Sequence, residues 1–496
     1  MISTASVTSA PAPYPSFTAM PIGEQWRAGH AGKIGTDTDP WSGDTLTEIP
    51  LADVDDLDEA FLVAEQAQRD WAARPPADRA AVMLAAADVM ADRKEEITGW
   101  LVRESGGTRA KSELEWNLVR SVMLEAASMP HHVAGAIMPT DIPGKESRVY
   151  RQPAGVVAVI SPWNFPLQLS SRSVAPALAC GNAVVLKPAS DTPVAGGLLL
   201  ARIFEEAGLP PGVLSVVIGA GGDIGDAIVS HPVPGVVSFT GSTAVGEGIT
   251  RTAGIKRLSL ELGGNGPLVV LDDADLEAAA DAAVFGSFFH AGQICMIANR
   301  LIVDLSVLDE FVPLFTERVR ALRPGNPADP ETDIGPVING RQLSSIQDKV
   351  RRAVAQGARQ VLSGEPSGPA GLLLPPHVLL GDNDVATARE EVFGPVITVI
   401  PAAGAQDALR IANETEYGLS SAVFTRDLDR GTRFALRVAA GMTHVNDSPV
   451  NDDANTAFGG VKASGIGRFG GQWAVDEFTT EHWVTVQRTP RTFPTG

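Results

Sequence analysis

The strongest constraint on the fold is an alternation of short β-rich runs, turns that contain Gly, Pro or Asn, and helical stretches, which begins near residue 155. The β-rich runs cover residues 156–160, 183–187, 214–218 and 236–240. Alternation of this kind predicts a doubly wound α/β sheet with parallel strands. In such a sheet the ligand crevice lies at the carboxyl ends of the strands.

The same pattern returns after residue 300. The sequence predicts a strand at 301–304, an amphipathic helix at 308–322 and another strand at 396–400. We therefore expect two doubly wound α/β lobes, each with a parallel sheet.

The N-terminal quarter has a different character. Asp55 is a candidate N-cap of a helix that ends at Pro75, and a second helix is predicted from about 78 to 104. Residues 129–155 contain scattered Pro and Gly, which indicates an extended excursion. Residues 1–20 have neither the basic segment nor the apolar core of a signal peptide, and we expect a loose tail there.

Charge and cysteine content exclude several classes of protein. The 496 residues carry a formal net charge of -20, which disfavours binding to nucleic acid and to anionic membranes. No apolar stretch reaches the roughly 18 residues of a membrane span. The two cysteines cannot form a disulfide framework and suit the cytoplasm. The eight histidines lack metal-ligand spacing, so no metal is predicted.

Cys295 is the candidate nucleophile, because it follows Gly292 and Gln293 in a polar loop rather than in an apolar run. A nucleophilic cysteine needs an accessible turn and backbone N–H groups that face the bond it attacks. Taken alone, such a residue is more often a buried structural cysteine, which behaves as a small hydrophobe. Cys180 ends an apolar helical stretch and is assigned that structural role.

Two glycine-rich turns are candidate nucleotide sites. They cover residues 219–225 and 241–246, and each lies between a predicted strand and a predicted helix. Glycines at such a turn let the backbone approach a phosphate, and the N-terminus of the helix favours an anion. Neither turn has the strict GxGxxG pattern, so an ordinary strand-to-helix turn remains the alternative.

Seven motifs occur in a fixed order along the chain: SPWNFP at 161–166, GNAVVLKP at 181–188, FTGSTAVG at 239–246, LELGG at 260–264, GQIC at 292–295, EEVFGP at 390–395 and FGGVKASGIGR at 458–468. In this order and spacing, the chain resembles the NAD(P)-dependent aldehyde dehydrogenase superfamily over nearly all of its length after the N-terminal tail. The resemblance implies the fold of that family, with two Rossmann-like lobes and a β-strand oligomerisation arm.

The resemblance also implies three catalytic residues. Cys295 would add to the aldehyde carbon, and Asn164 would donate to the oxyanion that forms. Glu261 would activate the water that hydrolyses the resulting thioester. Relatives that pass the acyl group to coenzyme A generally lack this glutamate, so an acid-producing, non-acylating dehydrogenase is expected.

The resemblance implies NAD as the cofactor. Ser190 stands where many NAD-specific members carry a glutamate that repels a 2'-phosphate, so NADP is expected to be tolerated as well. The cofactor-binding residues that the motifs imply are Ile160, Ser161, Trp163, Lys187, Ser190, Gly221, Gly225, Phe239, Gly241, Ser242, Val245, Gly246, Leu262, Glu391 and Phe393.

The substrate is expected to be an aromatic aldehyde, since the chain is most similar to the benzaldehyde and vanillin dehydrogenase branch. Aliphatic aldehydes or semialdehydes are the alternative, with Arg172 as a carboxylate clamp, and a non-catalytic binding protein is a further one. Ala291, where relatives commonly have glutamine, departs from the pattern. The implied tunnel residues are Phe165, Leu169, Arg172, Phe289, Ile294 and Met296.

The resemblance also divides the chain into domains. Residues 21–128 and 151–259 would form the dinucleotide-binding domain and residues 260–455 the catalytic domain. Residues 129–150 and 477–496 would form the oligomerisation arm, because short isolated strands are unstable until they join another sheet. The expected partners are a small-molecule aldehyde and further copies of the chain, as a dimer or a tetramer.

Overall fold

The computed structural model describes residues 11–494. Its strands in the N-terminal half are β1 (Met20–Ile22), β2 (Gln25–Arg27), β3 (Ile34–Thr38), β4 (Thr45–Pro50), β5 (Ala136–Met138), β6 (Lys145–Pro153), β7 (Val156–Ile160), β8 (Ala183–Lys187), β9 (Leu214–Val216), β10 (Val236–Thr240) and β11 (Arg257–Glu261). Those in the C-terminal half are β12 (Gly266–Val270), β13 (Ala298–Asp304), β14 (Arg359–Leu362), β15 (His377–Leu380), β16 (Val396–Ala402), β17 (Ala422–Phe424), β18 (His444–Val445), β19 (Gly465–Ile466) and β20 (Thr479–Gln487).

Fifteen α-helices lie in the described part of the chain. They are α1 (Val54–Ala73), α2 (Pro76–Asp92), α3 (Lys94–Ser105), α4 (Arg109–Ser128), α5 (Pro166–Ala179), α6 (Leu199–Glu206), α7 (Asp226–Ser230), α8 (Thr243–Thr252), α9 (Leu276–Phe288), α10 (Leu308–Ala321), α11 (Gly340–Ala355), α12 (Ala386–Arg389), α13 (Ala405–Asn413), α14 (Leu428–Ala435) and α15 (Gly471–Glu477). No helix within residues 11–494 is long and apolar enough to cross a membrane.

The first sheet has the strand order β19-β11-β10-β7-β8-β9 and is parallel except at the edge strand β19. Its central strands are buried on both faces, as their continuous runs of Val, Ile and Leu require. The predicted strands 156–160, 183–187 and 236–240 are confirmed, and the strand predicted at 214–218 ends at residue 216.

The second sheet has the strand order β14-β15-β16-β13-β12-β17-β18, and only β14 is antiparallel to its neighbour. Its strands β13 and β16 and helix α10 correspond to the predicted segments 301–304, 396–400 and 308–322. The two doubly wound α/β lobes expected from the sequence are therefore confirmed.

A separate three-stranded sheet of order β20-β6-β5 joins two distant parts of the chain. Trp483 Nε1 donates to Ser147 Oγ at 2.8 Å and links its two long strands. Ile137 and Trp483 remain 84% and 67% exposed, which is unusual for side chains of this size. The extended excursion predicted at 129–155 is thus one half of a projecting β-sheet.

Two helix predictions were wrong in detail. The N-cap of α1 is Asp53 rather than Asp55, and its side chain accepts from two backbone N–H groups of the first turn. The helix predicted from 78 to 104 is two helices, α2 and α3, that break at Arg93. The guanidinium of Arg93 binds Glu206 at 2.7 Å and lies over the ring of Tyr14, so a tertiary contact overrides the helical pattern.

The N-terminal tail was expected to be loose over 1–20. Residues 1–10 lie outside the described residues, and within 11–20 the side chains of Phe17 and Met20 are buried and that of Tyr14 is partly buried. The Tyr14 hydroxyl donates to Glu206 at 2.6 Å, and Phe17 is buried with its ring centroid 5.3 Å from that of Trp100. The expectation of a loose tail fails because this Ser- and Pro-rich segment contains two large aromatic side chains, Tyr14 and Phe17, which pack near α3.

The domain limits also need adjustment. Strand β11 runs across the expected limit at 259/260 and belongs wholly to the first sheet. The segment 456–476, which the sequence left unassigned, returns to that sheet through β19, whose Gly465 pairs with Glu261. Glu261 therefore stands at the carboxyl end of the first lobe, facing the second.

Candidate active site

Cys295 lies in a tight loop after α9. His290, Ala291 and Gly292 have φ angles of 51°, 52° and 70°, so three consecutive residues adopt the left-handed conformation. A Cβ on Gly292 would lie 2.1 Å from the carbonyl oxygen of Gly394, which only glycine avoids. Ala291, the departure noted in the sequence, is buried and takes part in this reversal of the chain.

The loop is fixed by Gln293, which explains the glutamine of the GQIC motif. Its Oε1 accepts from the backbone N–H of Ile338 at 2.9 Å, and its Nε2 donates to the carbonyl oxygens of His290 and Pro336 at 3.2 and 3.3 Å. These contacts tie the cysteine loop to the segment that precedes α11. The position of Cys295 is thus held by the packed structure around it.

Glu261 and Cys295 are in direct contact, with Sγ 2.9 Å from Oε1. Burial raises the pKa of the Cys295 thiol well above its usual range, and the neighbouring Glu261 raises it further. Burial also raises the pKa of the Glu261 carboxyl, while Arg172 counteracts that shift. The thiol proton of Cys295 therefore lies within reach of Glu261 Oε1, to which it can pass.

Asn164 is buried in the turn between β7 and α5. Its Nδ2 donates to the carbonyl oxygen of Gln293 at 2.9 Å, which orients the amide toward the cysteine loop. The structure therefore brings together all three residues that the resemblance assigned to catalysis: Cys295, Glu261 and Asn164.

Two cavities meet at Cys295. One has a volume of about 280 Å³ and the other about 180 Å³, and Cys295, Asn164 and Leu169 line both. A reacting carbon bound to this sulfur would thus be accessible from two sides, as a reaction between two ligands requires.

The larger cavity opens along the carboxyl edge of the first sheet. Of the predicted cofactor residues, those that line it are Trp163, Gly241, Ser242, Leu262, Glu391 and Phe393. The rings of Trp163 and Phe393 meet edge to face at 5.3 Å between centroids. Glu391 accepts from the backbone N–H of Gly264 at 2.8 Å, and burial raises its pKa to about 7.

Other predicted cofactor residues lie outside this cavity. Ile160, Ser161, Lys187 and Ser190 are at or just beyond the carboxyl ends of β7 and β8. Phe239 and Gly246 do not line this cavity either, and both are closely packed: a Cβ on Gly241 would contact the Phe239 ring at 2.5 Å, and one on Gly246 would contact Leu262 at 2.4 Å. Gly221, Gly225 and Val245 lie at the surface or partly exposed, away from its lining.

Lys187 fits a polar ligand at this edge. It is 6% exposed, and its three-donor ammonium makes one long contact, 3.4 Å, with the carbonyl oxygen of Pro188. Burial lowers the pKa of Lys187 to about 8. A buried donor set of this kind is suited to ribose hydroxyls, so the residues present fit a dinucleotide.

The smaller cavity is mostly apolar. The predicted residues Phe165, Leu169, Arg172, Ile294 and Met296 line it, whereas Phe289 does not. The ring of Phe289 packs against that of Phe285, with 4.8 Å between centroids and a tilt of 34°, and Phe285 faces the cavity in its place.

Several residues that line the two cavities were not predicted from the sequence. In the smaller cavity they are Leu114, Leu118, Gln168, Phe285, Val450, Asn451, Asp452 and Phe458, and in the larger one Pro162, Thr240, Gly263, Gln342 and Lys349. Gln168 could have been found, since it lies one helical turn before Arg172 on α5. The α4 and α11 residues carry no comparable signal, because their helices are distant in sequence from every motif.

Comparison with known proteins supports this reading of the geometry. A family model described as "Aldehyde dehydrogenase family" matches residues 26–484. The vanillin dehydrogenase of Corynebacterium glutamicum is 50% identical over 472 residues, which cover 94% of this chain and 97% of that protein. The benzaldehyde dehydrogenase YfmT of Bacillus subtilis is 46% identical over 476 residues, covering 95% and 98%.

Solved structures agree. The crystal structure of an NAD-dependent benzaldehyde dehydrogenase from Corynebacterium glutamicum has a TM-score of 0.89 and 46% identity, and the match covers 97% of this chain and 99% of that one. A family match over most of the chain, joined to similarity of this extent in sequence and fold, identifies the family. The chain belongs to the aldehyde dehydrogenase family.

Proposed function

We propose that the protein oxidises an aromatic aldehyde to the carboxylic acid, with NAD as the hydride acceptor. The observation that carries this proposal is the position of Cys295 at the junction of two cavities, one apolar and one along the carboxyl edge of the first sheet. The relatives named vanillin dehydrogenase and benzaldehyde dehydrogenase support the same substrate class.

The first step uses the contact between Cys295 and Glu261. Glu261 Oε1, 2.9 Å from Sγ, accepts the thiol proton as sulfur adds to the aldehyde carbon. The carbonyl oxygen becomes an oxyanion, which the Asn164 amide and the Cys295 backbone N–H stabilise. NAD, when bound, supplies the acceptor for the hydride that leaves this carbon.

The second step releases the acid. Removal of the hydride converts the thiohemiacetal into a thioester, and a water molecule must attack that thioester for turnover. Glu261, which has passed the thiol proton on to solvent and is ionised again, is the base within reach of the reacting carbon, and it takes the proton of the attacking water. The carboxylic acid departs as the carbon–sulfur bond breaks, and the proton returns from Glu261 to the sulfur, which regenerates the Cys295 thiol.

The dinucleotide would lie along the carboxyl edge of the first sheet. Lys187 would contact the adenosine ribose, and Glu391 and Phe393 would hold the nicotinamide ribose and ring. Ser190 donates to the carbonyl oxygen of Gly219 at 3.4 Å and places no carboxylate beside the ribose site. We therefore propose that NADP is also accepted.

Aromatic specificity follows from the shape of the smaller cavity. Its volume of about 180 Å³ and its lining by Phe165, Phe285 and Phe458 suit a single flat ring. The side chains of Leu169, Ile294 and Met296, in the same lining, add further apolar surface around such a ring.

The test is a comparison of kcat/KM for benzaldehyde, vanillin, hexanal and succinic semialdehyde, with NAD and with NADP. The proposal predicts the highest values for the two aromatic aldehydes with NAD, and no NADH from the matched Cys295→Ala variant. A strong preference for succinic semialdehyde would instead support Arg172 as a carboxylate clamp. Absence of NADH with every aldehyde would favour a binding role without catalysis.

We also propose that the sheet of β5, β6 and β20 is an oligomerisation arm, and that the chain forms a dimer or a tetramer. The exposed Ile137 and Trp483 on this sheet support the proposal. Light scattering of the purified protein gives the number of subunits, and an Ile137→Asp variant should shift it toward the monomer. Both cysteines are free thiols, which supports a cytoplasmic location.

A further inference from the structure

A buried charged cluster lies beside Glu261 and takes no part in the steps proposed above. Arg172 on α5 forms an ion pair with Asp452, and Gln168 Nε2 donates to the same carboxylate oxygen at 2.6 Å. The ring of Phe458 lies 3.8 Å from the guanidinium carbon. Asp452 and Phe458 thus hold the Arg172 side chain from two sides, and Arg172 is only 5% exposed.

The held guanidinium leaves one nitrogen directed at the base. Arg172 Nη1 lies 4.0 Å from Glu261 Oε2, and neither atom has a hydrogen-bond partner within residues 11–494. This separation is too long for a hydrogen bond, but an opposite charge at this distance strongly favours a carboxylate. The other oxygen of Glu261 faces Cys295, so the carboxylate stands between its nucleophile and a cation.

A cation is needed here because Glu261 is fully buried. A buried carboxyl without a positive neighbour takes up a proton near neutral pH, and a protonated carboxyl cannot act as a base. The other titratable groups that face Glu261 are Cys295, Asp452 and Glu391, and all three are acids. Arg172 supplies the positive charge that they do not.

Asp452 has a separate part in this arrangement. Without it, the guanidinium could move the short distance to Glu261 and form a direct ion pair. That pair would make the carboxylate a weaker base and draw it away from Cys295. Asp452 and Phe458 therefore keep the cation near the base but out of contact with it.

We propose that Arg172, held by Asp452, is a positioning residue that keeps Glu261 ionised but free of a direct ion pair, as hydrolysis of the thioester requires. This inference rests on the proposed function, because it concerns the deacylation step. It assigns to Arg172 a task on the enzyme's own base, distinct from binding a polar group of the substrate.

The test measures how the breakdown rate of acyl-Cys295 depends on pH, by acid quenching and mass spectrometry of the intact protein. In Arg172→Met the acid limb of this profile should move to higher pH by about 1–3 units. Arg172→Lys keeps a positive charge and should restore much of the limb. Asp452→Asn should move the limb to lower pH and reduce the plateau rate, since the freed guanidinium pairs with Glu261.

Two controls separate the electrostatic role from mere packing. Gln168→Met disturbs the same cluster without changing charge; because Gln168 lines the smaller cavity, the plateau rate is free to change, but the acid limb should lie at the same pH as in the wild type. Arg172→Met/Asp452→Asn removes both charges, leaves no unpaired carboxylate at position 452, and should still show the upward shift. Circular dichroism and the size of the NADH burst establish that each variant is folded and acylates.

The outcomes are distinct. If folded Arg172→Met and the double variant keep the wild-type limb, or if Gln168→Met moves it as far as they do, the inference is wrong. If the wild-type protein forms no acyl-Cys295 with any aldehyde of the panel, the proposed function itself fails, which a result on the variants alone cannot produce.

Discussion

Replacement of Glu261 by Gln should separate the two halves of the reaction. The substitution keeps the size of the side chain but removes the carboxylate that lies 2.9 Å from Cys295 Sγ. It therefore removes the base for hydrolysis and the first acceptor of the thiol proton. At the same time it removes the negative charge that opposes ionisation of the thiol, so that the thiol can lose its proton to solvent directly. Loss of the base slows deacylation, whereas loss of the negative charge favours the thiolate that acylation needs.

The magnitudes can be worked from the contact. Loss of a general base slows a step by about 10²- to 10⁴-fold, which corresponds to about 3–5 kcal/mol in the barrier of deacylation. Two unit charges at the observed separation, with an effective dielectric constant of about 20, repel by about 6 kcal/mol. The pKa of Cys295 should therefore fall by up to about 4 units in Glu261→Gln.

Stopped-flow measurement of NADH between pH 6 and about pH 9 tests both consequences in one experiment. We expect a burst of about one NADH per subunit followed by a slow steady state, and a burst rate that no longer increases steeply with pH. Mass spectrometry should find the acyl group on Cys295. Glu261→Asp, which keeps the charge, is the matched control and should retain more steady-state turnover.

A steady-state rate equal to that of the wild type would refute the role of Glu261 in hydrolysis. Loss of the burst in a folded Glu261→Gln protein would refute the claim that the charge of Glu261 opposes ionisation of Cys295, because the thiol would then need this carboxylate to become nucleophilic.

Three further predictions follow from single contacts. Asn164→Ala should reduce kcat by about 10²- to 10³-fold, because the oxyanion loses one donor, while the pKa values seen in the pH profile stay in place. Lys111→Met should lower the free energy of unfolding by about 3–5 kcal/mol, since it leaves the fully buried Glu115 without its ion pair; urea denaturation measures this loss, and Lys111→Met/Glu115→Gln should recover part of it. Because burial raises the pKa of Glu391 to about 7, the carboxyl is protonated below that pH and ionised above it. The affinity for NAD, measured by calorimetry, should thus rise as pH increases through 7. The rise should be about tenfold for each unit by which bound NAD lowers the pKa of Glu391, and Glu391→Gln should remove this pH dependence.

The local parts of the fold were readable from the sequence. Strands such as β7 and β8 are short, mostly apolar runs that contain several Val and Ile residues, each followed by a turn, and this pattern is set by neighbours a few residues away. The prediction failed where a distant partner intervened. Arg93 breaks a helix because Glu206, more than a hundred residues away, binds its guanidinium.

The motifs also predicted much of the candidate site. Cys295, Glu261 and Asn164 each lie in a short string whose order along the chain indicates the family, and the structure brings them together. The prediction was weaker for the glycine turns. Gly246 follows the expected pattern, yet it does not line the cavity, and a Cβ there would lie 2.4 Å from Leu262.

The sequence by itself determined the family and the two α/β lobes and singled out the candidate nucleophile, because these depend on short motifs and on periodicity within single elements. The tertiary structure alone decided which side chains form the cavity walls and which charges face the base. Arg172 and Asp452 are separated by 280 positions and meet only when α5 packs beside the loop that precedes the last motif. Burial, and with it the electrostatic effect of such a pair, is a property of the packed molecule that no local pattern carries.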